Sequence, residues 1–392
     1  MSKLLKTLTT LILALLLSTA LIACDNDGGD GDGATVTGEF VYELETGEND
    51  EGEEYEFYKI TGYTVTSEDA LKMAAGDFSS FTDAQRKIKI PATYKSLPVE
   101  EIASMAFSDQ VILTSVDFEG SQIKTIGVGA FSGCTSLEEI KNLPFIGASA
   151  DAIGEERVLG HLFGSASTSD KNTTVSAKVY YEAEEADFSF IVPSSLKKVS
   201  TTATEIPECA FYGFTMLEEI FYPNATEIGK CAFSGCSMLL TADLSKVEYI
   251  YDGGFENCTS LQDVNLSATA VLKHIGDGAF AGCSRLGYNF VVTDEDELTI
   301  TLPDTVTYLG ANAFNGCAML KYVVLGSNIT EIKSGAFAGC TELSKVIIKN
   351  DGAVVRASAF SGVDNEVVKI YKADGVTEIK FNNEVFGKAT QE

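Results

Sequence analysis

Histidine is scarce in this chain: 392 residues carry only two, His161 and His274. No Ser-His-Asp or Cys-His arrangement can be assembled from them by spacing, and no G-x-S-x-G elbow occurs. Basic residues are also few, 28 Lys and Arg against 57 Asp and Glu, a net charge of −29. That balance argues against nucleic-acid binding and favours basic partners. No Cys spacing forms a CxxC pair, so no zinc site is expected. The 35 glycines form no Walker or dinucleotide loop. Carboxylates are abundant, so counting alone leaves a glycosidase pair open. Only one stretch, at the N-terminus, approaches the ~20 apolar residues that cross a bilayer.

What the chain has is a repeated phrase. It reads IGVGAFSGC at 126–134, IGKCAFSGC at 228–236, IGDGAFAGC at 275–283, LGANAFNGC at 309–317 and IKSGAFAGC at 332–340. Looser copies place further phenylalanines, giving Phe107, Phe131, Phe211, Phe233, Phe255, Phe280, Phe314, Phe337 and Phe360. Their separations are 24, 80, 22, 22, 25, 34, 23 and 23. A period in this range means stacked supersecondary units. After each Gly-Cys come a polar pair, a Leu and a strand-like stretch such as LKYVVL at 320–325. A second apolar step, such as ITEI at 329–332, leads into the next Ala-Phe. Glycines flank the Ala-Phe segment, which suits a tight turn or 3₁₀ piece. One unit cannot bury its Phe, Leu, Ile and Val alone; stacking makes their columns one core.

At these residues the chain resembles the BspA-like class of leucine-rich repeat proteins, over roughly 88–371. The resemblance implies a right-handed, β-rich solenoid with a parallel strand column and short turns. It also implies display on a bacterial surface and adhesion to host matrix proteins, fibronectin and fibrinogen among them. The chain departs from the pattern at the 80- and 34-residue gaps, and Cys is missing at Phe214 and Val363.

The first 23 residues read as a secretory signal: Lys3 and Lys6, an apolar region, then Leu21-Ile22-Ala23-Cys24. Those last four resemble a lipobox, which would make Cys24 the lipidated N-terminus; ordinary cleavage elsewhere or an uncleaved anchor helix are the other readings. Residues 24–38 read as an acidic Gly-rich tether, since the Asp-Gly pattern fails the offsets of a calcium loop. From Asp25 to Glu56 there are thirteen acidic residues and no Lys or Arg. Residues 39–101 form the expected N-terminal cap, with a helix from SEDALKMAA that Ser67 would cap. The solenoid is expected over 102–371, with an insertion at about 143–190 read as a loop and hairpin bulging from one rung. Residues 372–392 form the C-terminal cap.

Nine Cys in a secreted chain suggest disulfides, but six of them form a column: Cys134, Cys236, Cys258, Cys283, Cys317 and Cys340 each lie three after a Phe. A column reads as small buried thiols. Cys209 and Cys231 lie two before the Phe of adjacent repeats, where bridged and unbridged forms both remain open.

Partner contacts are expected at outward strand positions. Phe221, Tyr322, Val324, Lys345 and Ile347 combine apolar surface with charge, a composition that marks interfaces. The expected structural core is Phe131, Phe233, Phe255, Phe280, Phe314, Phe337, Cys236, Cys258, Cys283, Cys317 and Cys340. No cofactor or metal is expected. The expected function is non-enzymatic adhesion or protein–protein recognition by a lipid-anchored protein on the outer membrane. The partner would be a host extracellular-matrix or other cell-surface protein. The alternative is a glycan-binding or periplasm-facing envelope scaffold.

Overall fold

The computed structural model describes residues 38–164, 172–181, 184–266, 271–287, 299–380 and 383–387; Cys24, the tether up to residue 37 and the acidic stretch 294–297 lie outside them. Among the described residues the fold is a β-rich solenoid with two parallel strand ladders. The first is built from the stretch after each repeat Leu. It runs through Lys87–Lys89, Ser115–Asp117, Glu139–Leu143, Lys198–Thr201 and Glu219–Phe221. It resumes at Thr299–Thr301, Tyr322–Leu325, Lys345–Ile348 and Lys369–Tyr371. Burial alternates along Tyr322–Leu325 and Lys345–Ile348, so Val323, Leu325, Val346 and Ile348 face the core.

The second ladder is the short step before each Ala-Phe, which the sequence shows only as an apolar pair. Glu205–Ile206, Glu227–Ile228, Tyr249–Ile250, His274–Ile275 and Tyr308–Leu309 pair in register. The expected single column is therefore two, and each presents its own outward row of side chains.

Between the ladders runs the phenylalanine column. Phe211, Phe233, Phe255, Phe280, Phe314, Phe337 and Phe360 stack with ring centroids 5.1–5.5 Å apart and planes within 11°. Each turn binds the next rung through its backbone, as in Phe280 N–H to Ala313 O at 2.8 Å. Two positions per turn lie in the left-handed region, two before and two after the Phe. Glycine holds most of them because it lacks the Cβ that makes this conformation costly. Met105, Cys209, Cys231, Asn312 and Ser358 occupy the first position with φ of 52–61°.

The column thiols have a defined task. Cys236, Cys258, Cys283, Cys317 and Cys340 are fully buried, and each S–H donates to the Phe carbonyl of the preceding rung at 3.0–3.3 Å. Burial pushes the Cys236, Cys258 and Cys317 thiols up, and Cys134 and Cys340 to about 12, so these stay protonated donors. Cys258→Ala removes the donor to Phe233 O and leaves a small cavity. It is expected to cost about 1–3 kcal/mol; Cys258→Ser should retain part of this in a denaturant titration.

The ends and the long interruption complete the stack. The antiparallel hairpin Gly38–Glu48/Glu54–Val65 lies against Leu97–Ile102 through its second strand. The helix Ser67–Ala74 is capped by Thr66 rather than Ser67: the Thr66 hydroxyl accepts from Asp69 N at 3.2 Å. At the other end Val385 O accepts from Phe360 N, and Phe386 extends the ring column at 6.2 Å from Phe360.

The stretch 143–190 is only partly a bulge. Asn172–Tyr181 and Glu184–Pro193 form the expected hairpin. Residues 144–164 instead fill the core between the rungs of Phe131 and Phe211. His161 O and Leu162 O accept from Gly129 N and Phe131 N, the role of the next repeat's turn elsewhere. Phe145, Ile146, Val158, Leu159, Leu162 and Phe163 are buried. A degenerate rung, HLFG at 161–164, keeps the hydrophobic column continuous where the motif is lost.

His161 is buried in that rung, with Nε2 3.2 Å from Ile126 O. Burial lowers its pKa, more than the carbonyl contact raises it. His274 is lowered for the same first reason. The unfolded chain therefore takes up protons at higher pH than the folded one. The stability this contributes is complete above about pH 6.5 and is lost as pH falls through the lower folded values. Melting temperature should drop between about pH 7 and pH 5, and His161→Gln should flatten that slope.

Candidate functional site

Four of the five nominated contact residues meet on the first ladder. Tyr322 lies beside Lys345, which in turn lies beside Lys369; Val324 lies beside Ile347, which in turn lies beside Tyr371. All four are half-buried. Lys345 Nζ lies 5.8 Å from the Tyr371 ring centroid, and the turn at Gly375 borders Ile347. Part of this surface is therefore occupied by the C-terminal cap. Phe221 is the most exposed of the five, at 60%, but stands four rungs away, about 19 Å at ~4.8 Å per rung. It does not join the others in one patch. The core phenylalanines and cysteines are all buried at 0–1% exposure.

The second ladder carries a denser array. Six residues before each Phe its outward row reads Glu205, Glu227, Tyr249, His274, Tyr308, Glu331. Because the strands are in register, Tyr249, His274 and Tyr308 become neighbours. His274 and Tyr308 stack at 4.4 Å and 9°. Tyr249 lies 6.4 Å from His274, and Tyr251 lies 6.1 Å from it. Lys333 Nζ covers the outer face of this row, 4.0 Å from the Tyr308 centroid and 2.5 Å from its hydroxyl.

Hydrogen bonds hold the rings in place. Tyr308 OH donates to Asp277 Oδ1 at 3.2 Å, and Tyr251 OH donates to Glu227 Oε2 at 3.1 Å. Asp277 is itself fixed, accepting Ala311 N at 2.8 Å. Burial and the Glu227 bond both raise Tyr251, so its hydroxyl remains a proton donor. His274 is neutral-favoring through burial, opposed by Asp252 and Asp277 and reinforced by Lys333. Beside the row is a depression of about 540 Å³ lined by Glu248, Tyr249, Val271, Lys273, His274, Thr305 and Thr307. Lys273 pairs with Glu248 at 2.5 Å on its rim.

Sequence reading missed this row. Its signal was present, since Tyr, His and Tyr recur at one fixed offset before three successive Phe residues. Only the segment after the Phe is long enough to read as a strand, so the sequence draws attention to offsets after the Phe and not before it.

The geometry suits contact. Among the described residues no group of three His, Cys, Asp or Glu is arranged to hold a metal ion. The row offers ring edges, hydroxyls and a lysine on a rigid backbone.

The repeat described as the BspA type leucine rich repeat region, in six copies, matches residues 54–157, 187–298 and 294–390. Among solved structures, a leucine-rich repeat protein from Bacteroides ovatus is 19% identical, over 85% of this chain and 78% of that one, with a TM-score of 0.39. A leucine rich cell surface protein from Faecalibacterium prausnitzii is 18% identical over 89% of each chain, with a TM-score of 0.31. The T. pallidum leucine rich repeat protein is 20% identical, over 76% of this chain and 87% of that one, at 0.27. No curated protein matches. With the repeat matched over most of its length and its strands laid in the corresponding ladders, the chain belongs to the BspA-type leucine-rich repeat family.

Proposed function

We propose that this chain is a non-enzymatic recognition protein, held at a bacterial cell surface by lipid on Cys24, that binds a protein partner through its second-ladder aromatic row. The observation that carries this reading is the Tyr249–His274–Tyr308–Lys333 array. Tyrosine on a rigid support gives large amphipathic contact area at low entropic cost, a property of protein-binding surfaces. The alternative of glycan binding requires open ring faces, against which a sugar packs its C–H groups. Here the rings stack on one another and under Lys333, so edges and hydroxyls are what a partner meets. The net charge of −29 favours a basic partner.

The test is binding of the full chain and of a Tyr249→Ala/Tyr308→Ala variant to arrays of host matrix proteins and of glycans. A protein ligand whose affinity falls at least about tenfold in the variant, without loss of the fold, supports the reading. Binding confined to glycans, or protein binding untouched by the variant, overturns it. Protease shaving of intact cells tests the surface location, and loss of membrane retention in Cys24→Ala tests the anchor.

A further inference from the structure

We propose that Cys209 and Cys231 form a disulfide between consecutive rungs, at the point where the regular stack resumes after the interruption. Both residues hold the same place in their turns, two before Phe211 and Phe233. Both have left-handed backbones, φ 55° and 52°, and Cys209 N donates to Lys230 O, beside Cys231, at 2.9 Å. Neighbouring rungs place such residues about 4.8 Å apart, inside the usual Cα separation of about 4.4–6.8 Å for a disulfide.

The direction of the side chains at this position adds to the argument. Each reaches forward over the next rung. A Cβ at Gly129 would stand 2.8 Å from Met105 Sδ, and one at Gly335 would stand 1.9 Å from Asn312 Oδ1. A Cβ at Gly253 would stand 3.2 Å from Cys231 Sγ. In a disulfide a sulfur lies about 3 Å from its partner's Cβ. The column therefore holds a sulfur at bonding distance from the next residue's Cβ, but the rungs after Met105 and Cys231 put glycine there. Cys209 is the case in which the next rung supplies a cysteine. A rotation of Cys231 away from Gly253, about χ1, completes the pair.

The exposure of Cys231 separates it from the column thiols, whereas Cys209 is buried. The column cysteines are fully buried and their S–H groups are committed to carbonyls. Cys231 is half-buried and opens on a depression of about 440 Å³ with Asp252, Gly253 and Glu256. An oxidant bearing a disulfide, such as a thiol–disulfide oxidoreductase or oxidised glutathione, has access there. The Cys231 thiolate attacks one oxidant sulfur and releases the other as a thiolate. The Cys209 thiolate then attacks Cys231 Sγ and releases the second. Two electrons pass to the oxidant, and the two thiol protons end on its two sulfurs. Burial first raises both thiols, Cys209 to about 12, with Cys231 the next cause at Cys209 and Glu256 the next at Cys231, so exchange should accelerate as pH rises.

The test is alkylation of the full native chain after exposure to oxidised glutathione, then digestion without reduction and mass spectrometry. Fragmentation is needed because Cys231 and Cys236 share one tryptic peptide. The expected result is a 209–231 link, with the column thiols alkylated only after denaturation. Oxidation should raise the melting temperature by about 5 °C, reversibly by reductant, as closing a loop of this length predicts. Cys231→Ser should abolish the shift. Separate alkylation of Cys209 and Cys231 after oxidation, or linkage of either to a column cysteine, overturns the proposal.

Discussion

Phe280→Ala is expected to destabilise the solenoid by about 3–5 kcal/mol. The Phe280 ring lies between Phe255, at 5.4 Å and 1°, and Phe314, at 5.2 Å and 11°. It is fully buried, and no side chain can collapse into its place, because the turn backbone is held on both sides. Phe255 N donates to Ala279 O and Phe280 N to Ala313 O. In a stack where each rung touches only its neighbours, a cavity in the middle breaks two interfaces. Phe386→Ala removes a ring with one tilted ring neighbour, at the end of the column, and should cost less. Denaturant titration of both variants checks the order. Equal costs, or a Phe280→Ala variant melting like wild type, would refute this register.

Gly147→Ala is expected to cost about 3 kcal/mol, from a substitution of one methyl group. Gly147 sits at φ 88°, where a Cβ is strained by roughly 1–2 kcal/mol. That Cβ would also stand 1.9 Å from Glu156 O. The obstacle is backbone and cannot rotate away, and Ala148 N pins the same carbonyl at 2.8 Å. Overpacking of this kind adds about 1–3 kcal/mol. A loop merely bulging from the surface would tolerate the change within about 0.5 kcal/mol. The measurement therefore decides whether 144–164 belongs to the stack.

Much of the fold was legible because the repeat exposes its own logic. Phe at a fixed interval, Cys three later and Gly on both sides identify core, donor and turn without coordinates. The rung at 161–164 was not legible, since HLFG shares only a Phe and a Gly with the motif, at a different spacing. What places it is backbone hydrogen bonding from Gly129 and Phe131, which any residue's carbonyl can accept. The helix cap shifted by one for a similar reason: Thr66 and Ser67 are chemically equivalent caps, and local dihedrals chose Thr66.

The contact surface shows the same division. Alternation along a strand determined that Tyr322, Val324, Lys345 and Ile347 point outward. It did not show that Phe221 stands apart from them, or that the C-terminal turn borders Ile347. The Tyr249, His274 and Tyr308 rings come from positions 25 and 34 residues apart in the chain. The sequence by itself determined the repeat, its buried columns and its acidic exterior, because those follow from local periodicity and composition. Only the tertiary structure decided which outward side chains become neighbours, because in-register stacking converts separation along the chain into one inter-strand step.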